Sequence, residues 1–179
     1  ANVGQATYEG RLSAFMVDGL VVRNSLFSGI SGSSPADGIQ LSGGTRNTTI
    51  WPGNTFSGIQ QSLCGGVHCD NIQLYGTGPN NTITGNHFVN GDFYIMAPDG
   101  GNDYLTVTNN LFDGSSTPYQ YKIQIGSANN AVFAHNTVVR ANIGFNSKIG
   151  YPASTNCLVE NNIIINGTVD NSYGSGCIN

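Results

Sequence analysis

Charged side chains are scarce in this sequence. Asp, Glu, Lys and Arg make up 9% of its 179 residues, and the formal net charge is −4. About a quarter of an ordinary globular protein is charged, so neutral polar groups must keep this one in solution. Six Lys and Arg residues are too few for a basic nucleic-acid-binding stripe. No apolar run approaches the ~20 residues of a membrane-spanning helix. The composition therefore argues against both nucleic acid and membrane as partners.

Cysteine is also sparse, with four residues and no Cys-x-x-Cys pair, which disfavours a zinc site. Four cysteines allow three disulfide pairings. We favour Cys64–Cys69 as a short loop clasp and Cys157–Cys177 as a link from the C-terminal segment to the last coil. Four reduced, buried cysteines are the alternative. Because disulfides persist in oxidising compartments, this pairing predicts a secreted, extracellular protein.

Glycine and asparagine are abundant, and asparagine follows a repeat. An apolar residue, two positions, an asparagine, one position and a second apolar residue recur six times along the chain. Successive asparagines lie 24 to 32 residues apart, which is typical of a solenoid. The repeated asparagines are Asn24, Asn54, Asn86, Asn110, Asn136 and Asn162.

Two apolar columns flank these asparagines and are expected to point inward, because side chains alternate along a strand. Asn tolerates the left-handed backbone of a bend, and aligned asparagines can bond to one another along the axis. Ordinary Asn-rich turns are the alternative interpretation. The first column is Val21, Trp51, Ile83, Val107, Phe133 and Val159; the second is Leu26, Phe56, Phe88, Phe112, Val138 and Ile164.

This repeat resembles the right-handed parallel β-helix of the pectate-lyase-like superfamily over about residues 15 to 165. The resemblance implies one all-β domain, residues 1–179, of about six coils. Residues 1–14 would form an N-terminal cap or incomplete coil, and residues 166–179 a tail stapled to the last coil. The chain is expected to be a monomer or part of a longer protein. Such a fold hosts many activities, so it does not define a function.

A second strand in each coil carries an Ile-Gln-apolar pattern at residues 39–41, 72–74 and 123–125. Residues 92–96 and 145–149 are expected to take its place in two other coils. The glutamines would face outward, in coils that repeat every ~4.8 Å, about the length of a sugar residue. This face is predicted to bind a polysaccharide, with a solvated face without ligand as the alternative. The candidate binding residues are Gln40, Asn71, Gln73, Tyr94, Gln124 and Lys148, with Tyr75, Tyr119, Tyr121 and Tyr151 as further aromatic contacts.

The resemblance also implies an activity, since families on this fold cleave acidic polysaccharides by β-elimination. That reaction needs a base beside the substrate carboxylate and a cation to neutralise it. Lys122 is the candidate base, and Asp70 and His68, at the start of a strand, are further catalytic candidates. Asp37 and Asp70 are candidate ligands for Ca²⁺, the cofactor we expect. The alternative role of both aspartates is to cap turns by accepting backbone N–H groups.

Two other functions stay open. Six cationic residues are few for gripping a polyanion, which favours a non-catalytic carbohydrate-binding module. The absence of a visible capping helix in residues 1–14 suggests instead a piece of a larger extracellular protein. The motifs of polygalacturonase-type hydrolases, Asn-Thr-Asp, Asp-Asp, Gly-His-Gly and Arg-Ile-Lys, do not occur here. A hydrolase of that kind is therefore disfavoured.

Overall fold

The computed structural model describes residues 10–29, 36–64, 69–114, 122–170 and 176–178. In these residues the chain forms twenty short strands, β1 to β20, and one 3-10 turn at Gln61–Leu63. None of the described helical structure is long and apolar enough to cross a membrane. The architecture is therefore all-β.

The strands form three parallel sheets, and each strand pairs with the strands three places before and after it in the chain. Three successive strands thus make one coil, and the predicted parallel β-helix is confirmed. Sheet 1 contains β1 (Leu12–Phe15), β4 (Ile39–Ser42), β7 (Asp70–Tyr75), β10 (Phe93–Ala97), β13 (Ile123–Ile125), β16 (Ile143–Gly144) and β19 (Val169–Asp170). Sheet 2 contains β2 (Val21–Val22), β5 (Thr49–Ile50), β8 (Thr82–Thr84), β11 (Thr106–Thr108), β14 (Val132–Ala134), β17 (Thr155–Glu160) and β20 (Gly176–Ile178). Sheet 3 contains β3 (Leu26–Ser28), β6 (Thr55–Ser57), β9 (His87–Val89), β12 (Leu111–Asp113), β15 (Thr137–Val139) and β18 (Ile163–Ile165).

A column of phenylalanines fills the core beside sheet 3. Phe27, Phe56, Phe88 and Phe112 stack on one another with ring centroids 4.7 to 4.9 Å apart. This spacing matches the distance between neighbouring strands, because the rings occupy equivalent positions in the parallel register. Each ring therefore buries its faces against the rings of adjacent coils, which stabilises the stack beyond simple area burial.

The turn between sheets 2 and 3, here called the asparagine corner, contains the predicted amide ladder. The backbone N–H and Nδ2 of Asn86 donate to Asn110 Oδ1 at 2.9 and 3.2 Å. Asn110 donates in the same way to Asn136, and Asn136 to Asn162. Asn54 Nδ2 joins the row by donating to Asn86 Oδ1 at 2.9 Å. Aligned side chains therefore satisfy the polar groups that the bend would otherwise bury without partners.

The first repeat departs from the prediction. Ser25, not Asn24, occupies the ladder position, and its backbone N–H donates to Asn54 Oδ1 at 3.0 Å. The inward residues are accordingly Val22 and Phe27, whereas Val21 and Leu26 are exposed. The predicted phase was wrong by one residue, because Asn24 takes the left-handed conformation of the bend just before the ladder (φ 51°).

The second repeat has one extra residue between its inward strand position and the ladder. Ile50 pairs in register with Ile83 and is buried. Four positions separate Ile50 from Asn54, against three from Ile83 to Asn86. Trp51 is the residue displaced, with 52% of its surface exposed. The prediction that Trp51 faces the core was therefore wrong.

Both ends of the described chain continue the solenoid. β1 begins at Leu12 and pairs with β4, so residues 12–14 belong to the first coil. β19 and β20 extend sheets 1 and 2 beyond residue 166. Both predicted disulfides form: Cys64–Cys69 within a connection, and Cys157–Cys177 between β17 and β20.

Candidate functional site

Three glutamines lie in one row on the outward face of sheet 1, and we call them the amide row. Gln40 pairs in register with Gln73, Gln73 with Met96, and Met96 with Gln124. All three glutamines are partly exposed between buried apolar neighbours, so their predicted outward orientation is confirmed. Gln40 Nε2 donates to Gln73 Oε1 at 2.6 Å, and Gln124 Nε2 donates to Asn146 O at 3.2 Å. Met96 interrupts the row with an apolar surface.

Exposed aromatic rings follow the edge of this sheet that leads into sheet 2. Phe15 and Tyr75 occupy equivalent positions, separated by Ser42 of the strand between them. The Phe15 ring lies over Gly43, where a Cβ atom would approach it to 2.4 Å. Only glycine leaves room for that ring. With a third ring from a later coil, these side chains form the aromatic edge: Phe15, Tyr75 and Tyr151, which are 55%, 53% and 44% exposed.

A lysine–aspartate pair lies beside the aromatic edge. Lys148 Nζ donates to Asp99 Oδ1 at 2.8 Å. This hydrogen bond and the Asp99 charge raise the pKa of Lys148, with smaller contributions from Tyr75 and Tyr151. Tyr151 is held next to the lysine by a turn in which its backbone N–H donates to Lys148 O at 3.0 Å. The two tyrosines and the ion pair thus form one polar and aromatic patch.

The segment that carries Lys148 to this patch is a loop, although a strand was predicted there. Residues 145–149 are not the strand of their coil, because β16 is Ile143–Gly144 and Phe145 is buried. Lys148 therefore lies on the loop after sheet 1 and not in the amide row.

The candidate base, Lys122, is inside the protein. Its surface is 2% exposed, and its Nζ donates to the backbone carbonyl of Gly91 at 3.0 Å. Burial lowers the pKa of Lys122, and the charge of Asp92 opposes that shift. The lysine lies over the Tyr94 ring, 5.7 Å from its centroid. Its ammonium group therefore hydrogen-bonds the backbone at the corner between sheets 3 and 1 and does not face a polymer outside the protein.

Asp37 and Asp70 are buried at the same corner. The backbone N–H of Asp70 donates to Asp37 Oδ1 at 2.8 Å, so Asp37 binds a backbone N–H of the neighbouring coil, at the first residue of β7. Among the described residues, no group of three or more His, Cys, Asp and Glu side chains could hold a metal ion. Calcium binding by these two aspartates stays a prediction. His68 lies outside the described residues, as do Tyr119 and Tyr121.

Tyr94 and Asn71 are fully buried, so the prediction that they contact a ligand on the outer face was wrong. The Tyr94 hydroxyl donates to Asp113 O at 2.7 Å, and its ring packs at a tilt near Phe88. Asn71 lies against Gly91, where a Cβ would come within 2.6 Å of its Oδ1. Both side chains help to fill the corner between sheets 3 and 1.

Phe15 is the aromatic contact that sequence reasoning missed. The available signal was its position: Phe15 in β1 corresponds to Tyr75 in β7, two strands further on, and Tyr75 lies two residues beyond Gln73.

No protein family model matches this chain, and no curated protein or solved structure matches it either. The fold assignment therefore depends on the strand pairing described above. Membership of the pectate-lyase-like superfamily stays a prediction.

Proposed function

We propose that this protein is an extracellular carbohydrate-binding solenoid that holds an extended polysaccharide along the outward face of sheet 1. The observation that supports this most is the aromatic edge running beside the amide row. Sugar rings have apolar C–H faces that stack on aromatic side chains and hydroxyl groups that bond to amides. A face that offers both in parallel rows suits a linear glycan.

The spacing of the face agrees with such a ligand. Neighbouring strands lie ~4.8 Å apart, close to the length of one sugar residue. Phe15 and Tyr75 are two strands apart, so their rings are separated by about 10 Å along the axis. They would then stack on alternate sugars of one chain, while Gln40 and Gln73 bond to hydroxyl groups between them.

Binding without cleavage is favoured over lyase activity by the state of the two lysines. Lys122 is buried and bonded to Gly91 O. Lys148 lies on the loop beside the face, and its hydrogen bond to Asp99 and the Asp99 charge raise its pKa. A general base must reach its substrate in the deprotonated form, and neither lysine meets both conditions. Two disulfides support an oxidising, extracellular location for this role.

Calorimetric titration of soluble polysaccharides into wild type and Tyr75→Ala tests the proposal. We expect about a tenfold loss of affinity in Tyr75→Ala, equivalent to one stacking contact. Trp51→Ala is the matched control, because Trp51 is 52% exposed but lies at the asparagine corner. Equal losses in both variants, or no binding to any polymer, would contradict the proposal. Release of unsaturated uronate from an acidic polymer in calcium would instead favour the lyase.

A further inference from the structure

The positive charges of this protein are almost all neutralised or buried. Its six Lys and Arg residues all fall in described segments. Half of them form ion pairs with carboxylates, with N···O distances of 2.8 to 3.0 Å: Arg46–Asp18, Arg140–Asp113 and Lys148–Asp99. Such pairs present little net charge to a passing polymer.

The other three cations do not form a binding surface. Lys122 is buried at the corner between sheets 3 and 1. Arg11 is partly buried, and its Nη1 donates to Ala36 O at 2.9 Å beside the Asp37 charge. Arg23 lies at the asparagine corner, away from sheet 1. No two of these cations are neighbours along one face, so a polyanion would find no row of positive charge.

The cation nearest the outward face of sheet 1 is Lys148, on the loop after β16, and its partner Asp99 cancels that charge. At the far end of the face, Asp170 of β19 follows the amide row in register with Gly144. The net charge of −4 on the whole protein would also repel an anionic chain. The remaining groups of the face are uncharged: amides, the Ser42 hydroxyl, the partly exposed thioether of Met96 and aromatic rings.

We infer that the ligand is a neutral glycan, a linear polysaccharide without carboxylate or sulfate groups. This inference depends on the proposed carbohydrate-binding function and specifies its ligand. In it, the Lys148–Asp99 pair recognises hydroxyl groups and not a uronate. A lysine ammonium has three N–H donors, and Asp99 accepts from one of them. The other two are available to sugar hydroxyls next to the stacking faces of Tyr75 and Tyr151.

The sharpest probe is one polymer in two charge states: polygalacturonate and its fully methyl-esterified form. Their backbones are the same, and only the second lacks carboxylates. Neutral β-glucan, xylan and mannan, with alginate and chondroitin sulfate as acidic counterparts, extend the comparison. We expect affinity for neutral polymers, changing less than about twofold between ~0.01 and ~0.5 M salt, because screening has little effect on uncharged contacts.

Asp99→Asn gives an independent test, because it leaves the shape of the side chain and removes the negative charge that cancels Lys148. The quantity to compare is the ratio of the affinity for the acidic polymer to that for the neutral polymer. At low salt this ratio should be about fivefold higher in Asp99→Asn than in wild type, and added salt should abolish the difference. Thermal unfolding checks that Asp99→Asn stays folded. Lys148→Met, which has no charge to release, is the matched control and should show no such gain.

The outcomes separate the inference from the function on which it depends. Preference of wild type for the acidic polymers, lost steeply as salt is added, would overturn the neutral ligand while leaving carbohydrate binding in place. An unchanged preference in Asp99→Asn would also count against the role given to the ion pair. Absence of binding to every polymer would overturn the proposed function, and the neutral ligand with it.

Discussion

The two corners that flank sheet 3 are built differently. At the asparagine corner, two to four residues connect the strands of sheets 2 and 3, and a buried amide recurs coil after coil. At the corner between sheets 3 and 1, here called the loop corner, the connections range from three residues (90–92) to twelve (58–69). The second connection contains the Cys64–Cys69 disulfide.

This difference distinguishes the corner that fixes the strand register from the corner whose length and hydrogen bonds vary from coil to coil. The asparagine corner repeats one hydrogen-bonding solution, so it sets the register of sheets 2 and 3. The loop corner uses a different hydrogen bond in each coil: Asp37 accepts from the backbone N–H of Asp70, Lys122 donates to the carbonyl of Gly91, and Asp92 accepts from the backbone N–H of Gln61. Because sheet 1 begins at the loop corner, variation there reaches the proposed binding face without disturbing the ladder.

Asn110→Ala should give the largest effect, since it removes one rung of the ladder. Asn110 Nδ2 donates to Ile83 O at 2.9 Å, and its Oδ1 accepts from the backbone and side chain of Asn86. Truncation would leave the buried Asn86 backbone N–H without its acceptor and remove the other hydrogen bonds of this side chain, at a cost of about 3 kcal/mol in the free energy of unfolding. Urea unfolding followed by circular dichroism measures this change.

Asn109→Gly is the control for that rung. Asn109 is exposed and has φ 56°, which glycine adopts without strain. We expect a change of less than about 0.5 kcal/mol. If the two variants are equally stable, the ladder does not have the role described.

Removal of the loop-corner disulfide should have a smaller effect. Cys64 and Cys69 are separated by five positions, and closing so short a loop stabilises the folded state by about 2 kcal/mol in the chain-entropy treatment. The double variant Cys64→Ala/Cys69→Ala should also show faster amide exchange in residues 58–69 alone. Faster exchange at the asparagine corner would mean that the two corners are coupled, contrary to the comparison above.

The smallest effect concerns the pH dependence contributed by Lys122. Burial lowers its pKa below the ordinary 10.5, so the unfolded chain binds this proton more tightly than the folded one. The free energy of unfolding should therefore rise with pH between the lowered pKa and about 10.5. In Lys122→Met that rise should be missing, while the titration of other groups cancels in the difference. Parallel dependence in both proteins, from urea unfolding at several pH values, would contradict burial of the charge.

The inward and outward residues of the later coils could be predicted from the sequence, because an asparagine and two apolar residues keep the same spacing in each of these coils. At Asn86, Asn110 and Asn136 the amide, the apolar residue before it and the one after it all fit the same period. The first two coils break that agreement. In the first coil Ser25 takes the ladder position, and the neighbouring Asn24 matches the sequence pattern without belonging to the ladder. In the second coil Trp51 is an additional residue before the ladder, and its side chain is exposed. A search for one fixed spacing between apolar residues and asparagine cannot detect either change. The strands of these coils nevertheless pair in register with their neighbours.

The site was predictable where strict alternation holds and not where it fails. Gln73 and Gln124 face outward between buried neighbours, as the period of two requires. At the loop corner, consecutive residues are buried together, as Asn71 and Ile72 are. A polar residue at the start of a strand, such as Asn71 in β7, can therefore point inward. Lys122 likewise lies next to the start of a strand, directly before β13, and is buried. It was predicted to lie at the surface because lysine is usually exposed.

The in-register pairing of sheet 1 makes the protein a molecular ruler if it binds as proposed. Each coil adds ~4.8 Å to the face, so the number of strands fixes how many monomers can be held at once. The seven strands that the described residues contribute to this sheet would hold about six or seven units, so affinity should climb with oligosaccharide length over that range. Adding or deleting one whole coil would change that range by a single sugar.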